Sequence, residues 1–333
     1  MTTEEAISQF RSAYATARAE IGRVLVGQDA IVDGALTAIF GGGHVLLEGV
    51  PGLGKTLLVR TLGEVLDLSF SRIQFTPDLM PADILGTNLV VESPGGGRQF
   101  QFQKGPIFAH IVLADEINRA TPKTQSAMLE AMQERQVTAG GEVRPLPSPF
   151  FVLATQNPID QEGTYPLPEA QLDRFFFKLI VGYPTREELT EVLNRTTEGE
   201  KVTPKKALTG VELMHLQKLV RQVPMATHVK DYAVRLVLAT HPKTDTAAPI
   251  TNQFLRFGSS PRAAQVLTLA GKVRALTQGR FNVSYEDIAA VATPAFRHRL
   301  ILNFEAEAEG ITTDQVVAQI LRDVPKDAGL VSA

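Results

Sequence analysis

Residues 49–56 read GVPGLGKT, set between the apolar run His44-Val-Leu-Leu-Glu48 and the helix-like stretch Leu57-Leu-Val-Arg-Thr-Leu-Gly63. Gly49, Gly54, Lys55 and Thr56 fit the pattern G-x-x-x-x-G-K-[ST]. Such a loop has to leave a strand and open a helix, because its backbone N–H groups and the helix N-terminus together cradle phosphate oxygens. Both flanks comply. Lys55 is then expected to reach the β and γ phosphates of a nucleotide and the Thr56 hydroxyl to ligate magnesium. Gly49, Pro51, Gly52, Leu53, Gly54 and Leu57 complete the expected cradle.

Working outward, five short apolar runs occur: His44 to Glu48, Ser69 to Phe75, Ile111 to Ala114, Phe150 to Thr155 and Phe175 to Val181. Helical or turn-rich segments separate them, which predicts an α/β domain around a mainly parallel five-stranded sheet. Ahead of it, Ile7, Phe10, Tyr14, Ala17 and Ile21 recur at spacings of three and four, the stripe of a packing helix. Leu89-Val-Val91 and Phe100-Gln-Phe102 flank the turn Ser93-Pro-Gly-Gly-Gly97, and Gln136-Val-Thr138 and Glu142-Val-Arg144 flank Gly140-Gly141. Both stretches read as inserted hairpins.

After Tyr183-Pro184 the pattern changes to helices. Thr185 with Glu188, Thr209 with Glu212 and Ser284 with Asp287 have capping-box spacing, and Ser260-Pro261 reads as a cap followed by a first-turn proline. The expected division is a core of residues 1–183, carrying the N-terminal helix and both hairpins, and a smaller all-helical domain of residues 184–333.

Composition narrows the function classes. Of 333 residues 44% are hydrophobic and 21% charged, and the formal charge is −3, without the basic excess of a nucleic-acid grip. The absence of cysteine excludes disulfides, thiol nucleophiles and thiolate metal sites. The first residues, MTTEEAISQF, lack a basic region followed by an apolar core, so a cytoplasmic protein without membrane insertion is expected.

Three further stretches carry chemistry. Ile111-Val-Leu-Ala-Asp-Glu116 is an apolar strand ending in two carboxylates, with Asp115 suited to the magnesium shell and Glu116 to polarising an attacking water. Ala154-Thr-Gln-Asn-Pro158 brings Asn157 to a strand end, where an uncharged polar group can bind the γ-phosphate or the water. Leu172-Asp-Arg-Phe175 offers Arg174, and the first turn of the helix near Pro261 offers Arg262. A guanidinium from either could neutralise charge developing on a γ-phosphate, often in trans.

In order, GVPGLGKT, IVLADE, ATQNP, LDRF and GSSPRA resemble the Walker A, Walker B, sensor 1, arginine-finger and sensor 2 elements of an AAA+ ATPase. Within that superfamily Val26-Gly27-Gln28, Glu48-Gly-Val-Pro-Gly52, Gln74-Phe-Thr-Pro-Asp78, Asp115-Glu-Ile-Asn-Arg119 and Glu169-Ala-Gln-Leu-Asp-Arg-Phe175 resemble the MoxR family, over residues 20 to 322. The resemblance implies an AAA+ core with a helical lid, ATP and Mg2+ as cofactors, and the two hairpins facing a ring pore or client. Val24, Val26 and Gly27 would lie near the adenine, and Arg262 would serve either its own or a neighbour's nucleotide. It also implies a hexameric homo-oligomer, chaperone-like remodelling, and a von Willebrand factor A domain protein as partner.

Two other readings stay open on sequence. A nucleic-acid motor would use the hairpins' Arg98, Lys104, Arg135 and Arg144. A monomeric nucleotide switch would use the D-x-x-G matches Asp83–Gly86 or Asp160–Gly163, although no N-K-x-D element accompanies them and Pro242-Lys-Thr-Asp245 is the nearest match.

Overall fold

The computed structural model describes residues 2–92, 98–158, 164–198 and 202–326. Helix α1 (Thr3–Val24) buries Phe10, Tyr14, Ala17 and Ile21 along the stripe read from the sequence, and α2 (Asp29–Gly41) follows it. Strand β1 (Val45–Glu48) leads through the glycine loop into α3 (Lys55–Val65) and β2 (Phe70–Gln74). The short α4 (Pro81–Leu85) enters a hairpin of β3 (Gly86–Glu92) and β4 (Arg98–Lys104). Then come β5 (Ile111–Asp115), α5 (Pro122–Glu134) and a second hairpin of β6 (Gln136–Ala139) and β7 (Glu142–Pro145). Strand β8 (Phe151–Gln156), α6 (Glu169–Leu172) and β9 (Phe177–Ile180) close the core.

The five apolar runs form one sheet in the order β2-β5-β8-β1-β9, and every adjacent pair is parallel. Every residue of β5 is buried, as a strand covered by helices on both faces requires, which is why it reads as a continuous apolar run. Register aligns Gln74 with Asp115 and Glu48 with Gln156, so the residues leaving β1, β5 and β8 emerge along one carboxyl edge. Ligands of open α/β sheets gather at such an edge.

Both predicted hairpins are antiparallel ribbons; the turn 93–97 of the first lies outside the described residues. They touch each other: the Arg144 guanidinium lies 3.8 Å from the Phe102 ring centroid, and Asn88 Nδ2 donates to the Gly140 carbonyl at 3.4 Å. Leu89, Val90, Phe100 and Val143 point their apolar side chains to solvent.

From Thr185 onward the chain is helical, as α7 (Arg186–Leu193), α8 (Gly210–Gln222), α9 (Thr227–Ala239), α10 (Pro249–Phe254), α11 (Pro261–Thr277), α12 (Tyr285–Phe296), α13 (Phe304–Glu309) and α14 (Thr313–Asp323). Thr185, Thr209 and Ser284 form the three capping boxes expected, and Ser260 accepts from the Arg262 amide. The region is not all-helical, however. Strands β10 (Leu255–Phe257) and β11 (Ile301–Leu302) pair antiparallel, in runs too short to show an alternating pattern in sequence. One cluster of buried side chains extends from Ala6 in α1 to Ile320 in α14, so the N-terminal helix and the helical region share a core. A second cluster fills the space between α5, β5 and β8. No described helix is long and apolar enough to cross a membrane.

His44 joins three elements of the core. Its Nε2 donates to the Met132 carbonyl (3.0 Å) and its Nδ1 accepts the Val152 amide (2.9 Å), so the partners assign a neutral ring. Burial is the main cause that lowers its pKa to about 4. The folded value lies below the unfolded one of about 6.5. Stability from this ring is therefore fully present above that pH and is lost as pH falls through about 4. Denaturant unfolding at pH 5 should give about 2 kcal/mol less stability from this site than at pH 7.5. In His44→Gln that difference should shrink; an unchanged pH slope would contradict the assignment.

Candidate active site

The glycine loop owes its shape to backbone conformation. Gly52 (φ +85°) and Gly54 (φ +77°) occupy the left-handed region, and a Cβ on either would meet open space, so conformation and not crowding selects glycine there. At Gly49 the reason differs: a Cβ would come within 2.7 Å of the Val181 carbonyl oxygen. Gln28 Nε2 donates to the Leu53 carbonyl at 2.9 Å, tying the loop to the start of α2. Helix α3 begins at Lys55, so the loop presents the N-terminal end of a helix dipole to the space in front of it.

That space is a cavity of about 380 Å³, lined by Gly49, by Pro51 through Leu57, and by Arg72, Gln74, Asp115, Glu116, Thr155, Gln156 and Asn157. Lys55 Nζ donates to the Gly49 and Val50 carbonyls, both at 2.7 Å. Burial lowers its pKa from the ordinary lysine value, with Asp115 and Glu116 acting in the opposite direction. A phosphate oxygen would be a stronger partner for this ammonium than either carbonyl.

Both carboxylates are held. Asp115 is buried; its Oδ1 accepts from Thr155 Oγ1 at 2.6 Å, and its Oδ2 accepts from Arg72 Nε at 3.0 Å and Nη2 at 2.6 Å. Glu116 has a left-handed backbone (φ +56°), and its amide donates to the same Thr155 hydroxyl at 2.8 Å. Glu116 Oε2 accepts from Gln74 Nε2 (3.0 Å) and Arg119 Nη1 (2.8 Å). A non-glycine residue in this conformation costs about 1 kcal/mol or more, which Thr155, Gln74 and Arg119 offset.

Thr56 and Asp115 are hard oxygen donors that both line the cavity. Among the described residues no group of three or more His, Cys, Asp or Glu is gathered to hold a metal. A cation there would complete its shell with phosphate and water oxygens, the mode that Mg2+ favours. The residues fit Mg2+ on that chemistry, although Arg72 already occupies one Asp115 oxygen and would compete for it.

The loop residues, Asp115, Glu116 and Asn157 thus meet around one cavity. Val24, Val26 and Gly27 do not line it; Gly27 (φ +66°) lies against Glu188, whose carboxylate a Cβ at that position would meet. The two arginines also lie outside the lining. Arg174 Nη1 donates to the Leu129 carbonyl at 2.8 Å, beside a separate depression of about 270 Å³ that includes Glu130 and Glu134, and its Nε is buried without a hydrogen-bond partner. Arg262 Nη1 reaches Asp173 Oδ2 at 3.2 Å. Asp173 also accepts from Ser260 Oγ and from the buried Arg299 Nε (2.8 Å), whose pKa burial lowers to about 10 against the pull of Asp173. Asp173, the partner of Arg262, is the chain neighbour of Arg174. Of the D-x-x-G matches, Asp83 caps α4 by accepting the Met80 amide (2.8 Å), and residues 160–163 fall outside the described residues.

Sequence reading assigned no role to Arg72, Gln74, Arg119 and Thr155, although Gln74 and Arg119 stand in the family motifs quoted above. Arg72 and Gln74 alternate on β2 and so share a face, but that face becomes informative only once β2 is known to neighbour β5.

Comparison with known proteins is consistent with this geometry. Residues 44–177 match the family described as "ATPase family associated with various cellular activities (AAA)", and residues 247–320 match the AAA lid domain. The chain is 45% identical to chaperone MoxR1 of Mycobacterium tuberculosis, over 92% of this chain and 80% of that protein. It is 43% identical to the uncharacterized protein YeaC of Bacillus subtilis, over 91% and 92% respectively. Protein MoxR of Methylorubrum extorquens is 27% identical over 96% of this chain and 95% of its own length. A crystal structure of an ATPase candidate from Cytophaga hutchinsonii superposes with a TM-score of 0.89 at 43% identity, covering 97% of both chains.

Proposed function

The chain belongs to the MoxR family of AAA+ ATPases, and from that membership we propose that it hydrolyses Mg-ATP in a homo-oligomeric, hexameric ring and uses the cycle to remodel protein clients in the cytoplasm. A protein carrying a von Willebrand factor A domain is its proposed partner. The observation that carries this reading is the separation of two sets of residues. The phosphate loop, Thr56, Asp115, Glu116 and Asn157 meet around one cavity, while Arg174 and Arg262 sit on a different region of the same chain. A catalytic cation that is absent from its own subunit's cavity is the arrangement a shared interface between subunits requires.

In this account the loop amides and Lys55 bind the phosphates, and Thr56 and Asp115 would hold Mg2+, which when bound would neutralise charge on the phosphate oxygens. Glu116 takes up the proton of the attacking water, for which it exchanges its Gln74 or Arg119 hydrogen bond for one to that water. Asn157 hydrogen-bonds the γ-phosphate or the water, and the neighbour's Arg174 and Arg262 stabilise charge on the transferring phosphoryl group. Loss of the γ-phosphate removes contacts made only to it, so core and lid regions, divided at about residue 184, can shift between subunits. The exposed Leu89, Val90, Phe100 and Val143 supply apolar contact for a client.

Affinity capture with Glu116→Gln tests the remodelling reading. With ATP the variant should retain a von Willebrand factor A domain protein that is released with ADP. Equal recovery in both nucleotides, or recovery of nucleic acid alone, would contradict it.

A further inference from the structure

A basic surface lies at the opposite end of the sheet from the glycine loop. A cavity of about 170 Å³ is bounded by Gly41 and Gly42 at the end of α2, by Ser148 to Phe151 leading into β8, and by α8. Because β1 and β8 are parallel, this is their amino edge, a strand length or roughly 15–20 Å from the phosphate loop. Three cations line it, Arg135, Lys218 and Arg221, and no Asp or Glu does. The cluster continues across the neighbouring helices: Lys272 Nζ donates to the Arg221 carbonyl at 2.9 Å. Burial lowers the Lys272 pKa from the ordinary value, and Lys230 and Arg221 lower it further.

None of Arg135, Lys218, Arg221, Lys230 and Lys272 forms an ion pair with a described residue. Other cations of the chain do have carboxylate partners, as Arg18 has Asp29 and Asp33. Like charges gathered without counter-charges repel one another, and in a protein of net charge −3 nothing in overall composition demands the cluster.

We infer that this surface, formed by the end of α5, by α8 and α9 and by the face of α11 bearing Lys272, docks an acidic polypeptide segment of another protein. One carboxylate side chain would enter the cavity between Arg135, Lys218 and Arg221. The wall favours polypeptide over nucleic acid. Its apolar part is made by Met214 and Pro149, and its aromatic rings, Phe150 and Phe151, are 2% and 1% exposed, so they offer no face on which a base could stack. Arginine and lysine ahead of an aliphatic wall suit a carboxylate on a short hydrocarbon stem.

The test uses a fluorescein-labelled decaglutamate peptide on the full-length protein. Binding should be saturable and should weaken steeply with added salt. In the double variant Lys218→Glu with Arg221→Glu it should weaken by about tenfold or more. Both side chains are exposed, and Lys218→Gln with Lys230→Gln offers a milder pair in which a smaller loss is expected. Lys55→Ala should bind the peptide as the unaltered protein does, which separates this surface from the phosphate loop, and ATP turnover should be the same with and without the double substitution. Peptide affinity unchanged in the double variant would overturn the inference. So would a deoxythymidine decamer that binds more tightly than the peptide and is lost in the same variant.

Discussion

Replacing Arg174 with alanine is expected to lower ATP turnover by about a thousandfold or more while leaving ATP affinity within about twofold. The expectation follows from where the guanidinium sits. Arg174 is outside the cavity that holds Lys55, Thr56 and Glu116, so it contributes nothing to ground-state nucleotide binding within its own subunit. Among the described residues its side chain donates one hydrogen bond, to the Leu129 carbonyl, and losing one such bond costs about 1 kcal/mol, too little to unfold the chain. Its buried and unpartnered Nε marks a side chain whose donors are not all used in the isolated subunit. Arg174→Lys should not restore turnover, because a point charge does not reproduce the planar fork that spans two phosphoryl oxygens. Parallel loss of binding and turnover, measured by nucleotide titration and steady-state phosphate release, would instead indicate a folding or ground-state role.

Glu116→Gln should reduce turnover by about 10² to 10⁴, the usual range for a lost general base, with Mg-ATP still bound. The amide keeps an oxygen that can accept from Gln74 and Arg119, and Thr155 still holds the left-handed turn through the backbone amide of residue 116. What changes is the capacity to accept a proton from water. If single-turnover hydrolysis in Glu116→Gln matched that of the unaltered protein, the base would have to be sought elsewhere on the cavity wall. Asp115 is the poorer choice, since Thr155 and Arg72 already occupy both of its oxygens.

Much of the fold was legible because it rests on local rules. Buried parallel strands read as apolar runs, capping boxes mark helix starts, and GVPGLGKT carries its strand–loop–helix context on both sides. The short β10–β11 ribbon escaped because strands of three and two residues have no period to detect. For the site the division is sharper. Residues at the ends of β1, β5 and β8 could be nominated from sequence, since strand ends on one carboxyl edge converge whatever the order of the strands. Arg72, Gln74 and Thr155 could not, because their importance depends on β5 lying between β2 and β8. The ion pair from Asp173 to Arg262 and the contact between Gly27 and Glu188 join residues far apart in the chain and have no local signature.

The central claim, that one subunit's phosphate loop works with the next subunit's arginine, is tested most directly by mixing two inactive proteins. Lys55→Ala should fail to bind nucleotide productively but keep Arg174, and Arg174→Ala should bind nucleotide but lack the trans cation. Each alone is expected to show almost no ATP turnover. Mixed in equal amounts under assembling conditions, random rings would place an intact arginine against an intact loop at about a quarter of the interfaces, and turnover should rise toward that fraction of the unaltered protein's. Turnover in the mixture no greater than the sum of the separate proteins, with mixed rings demonstrably formed, would contradict the shared site.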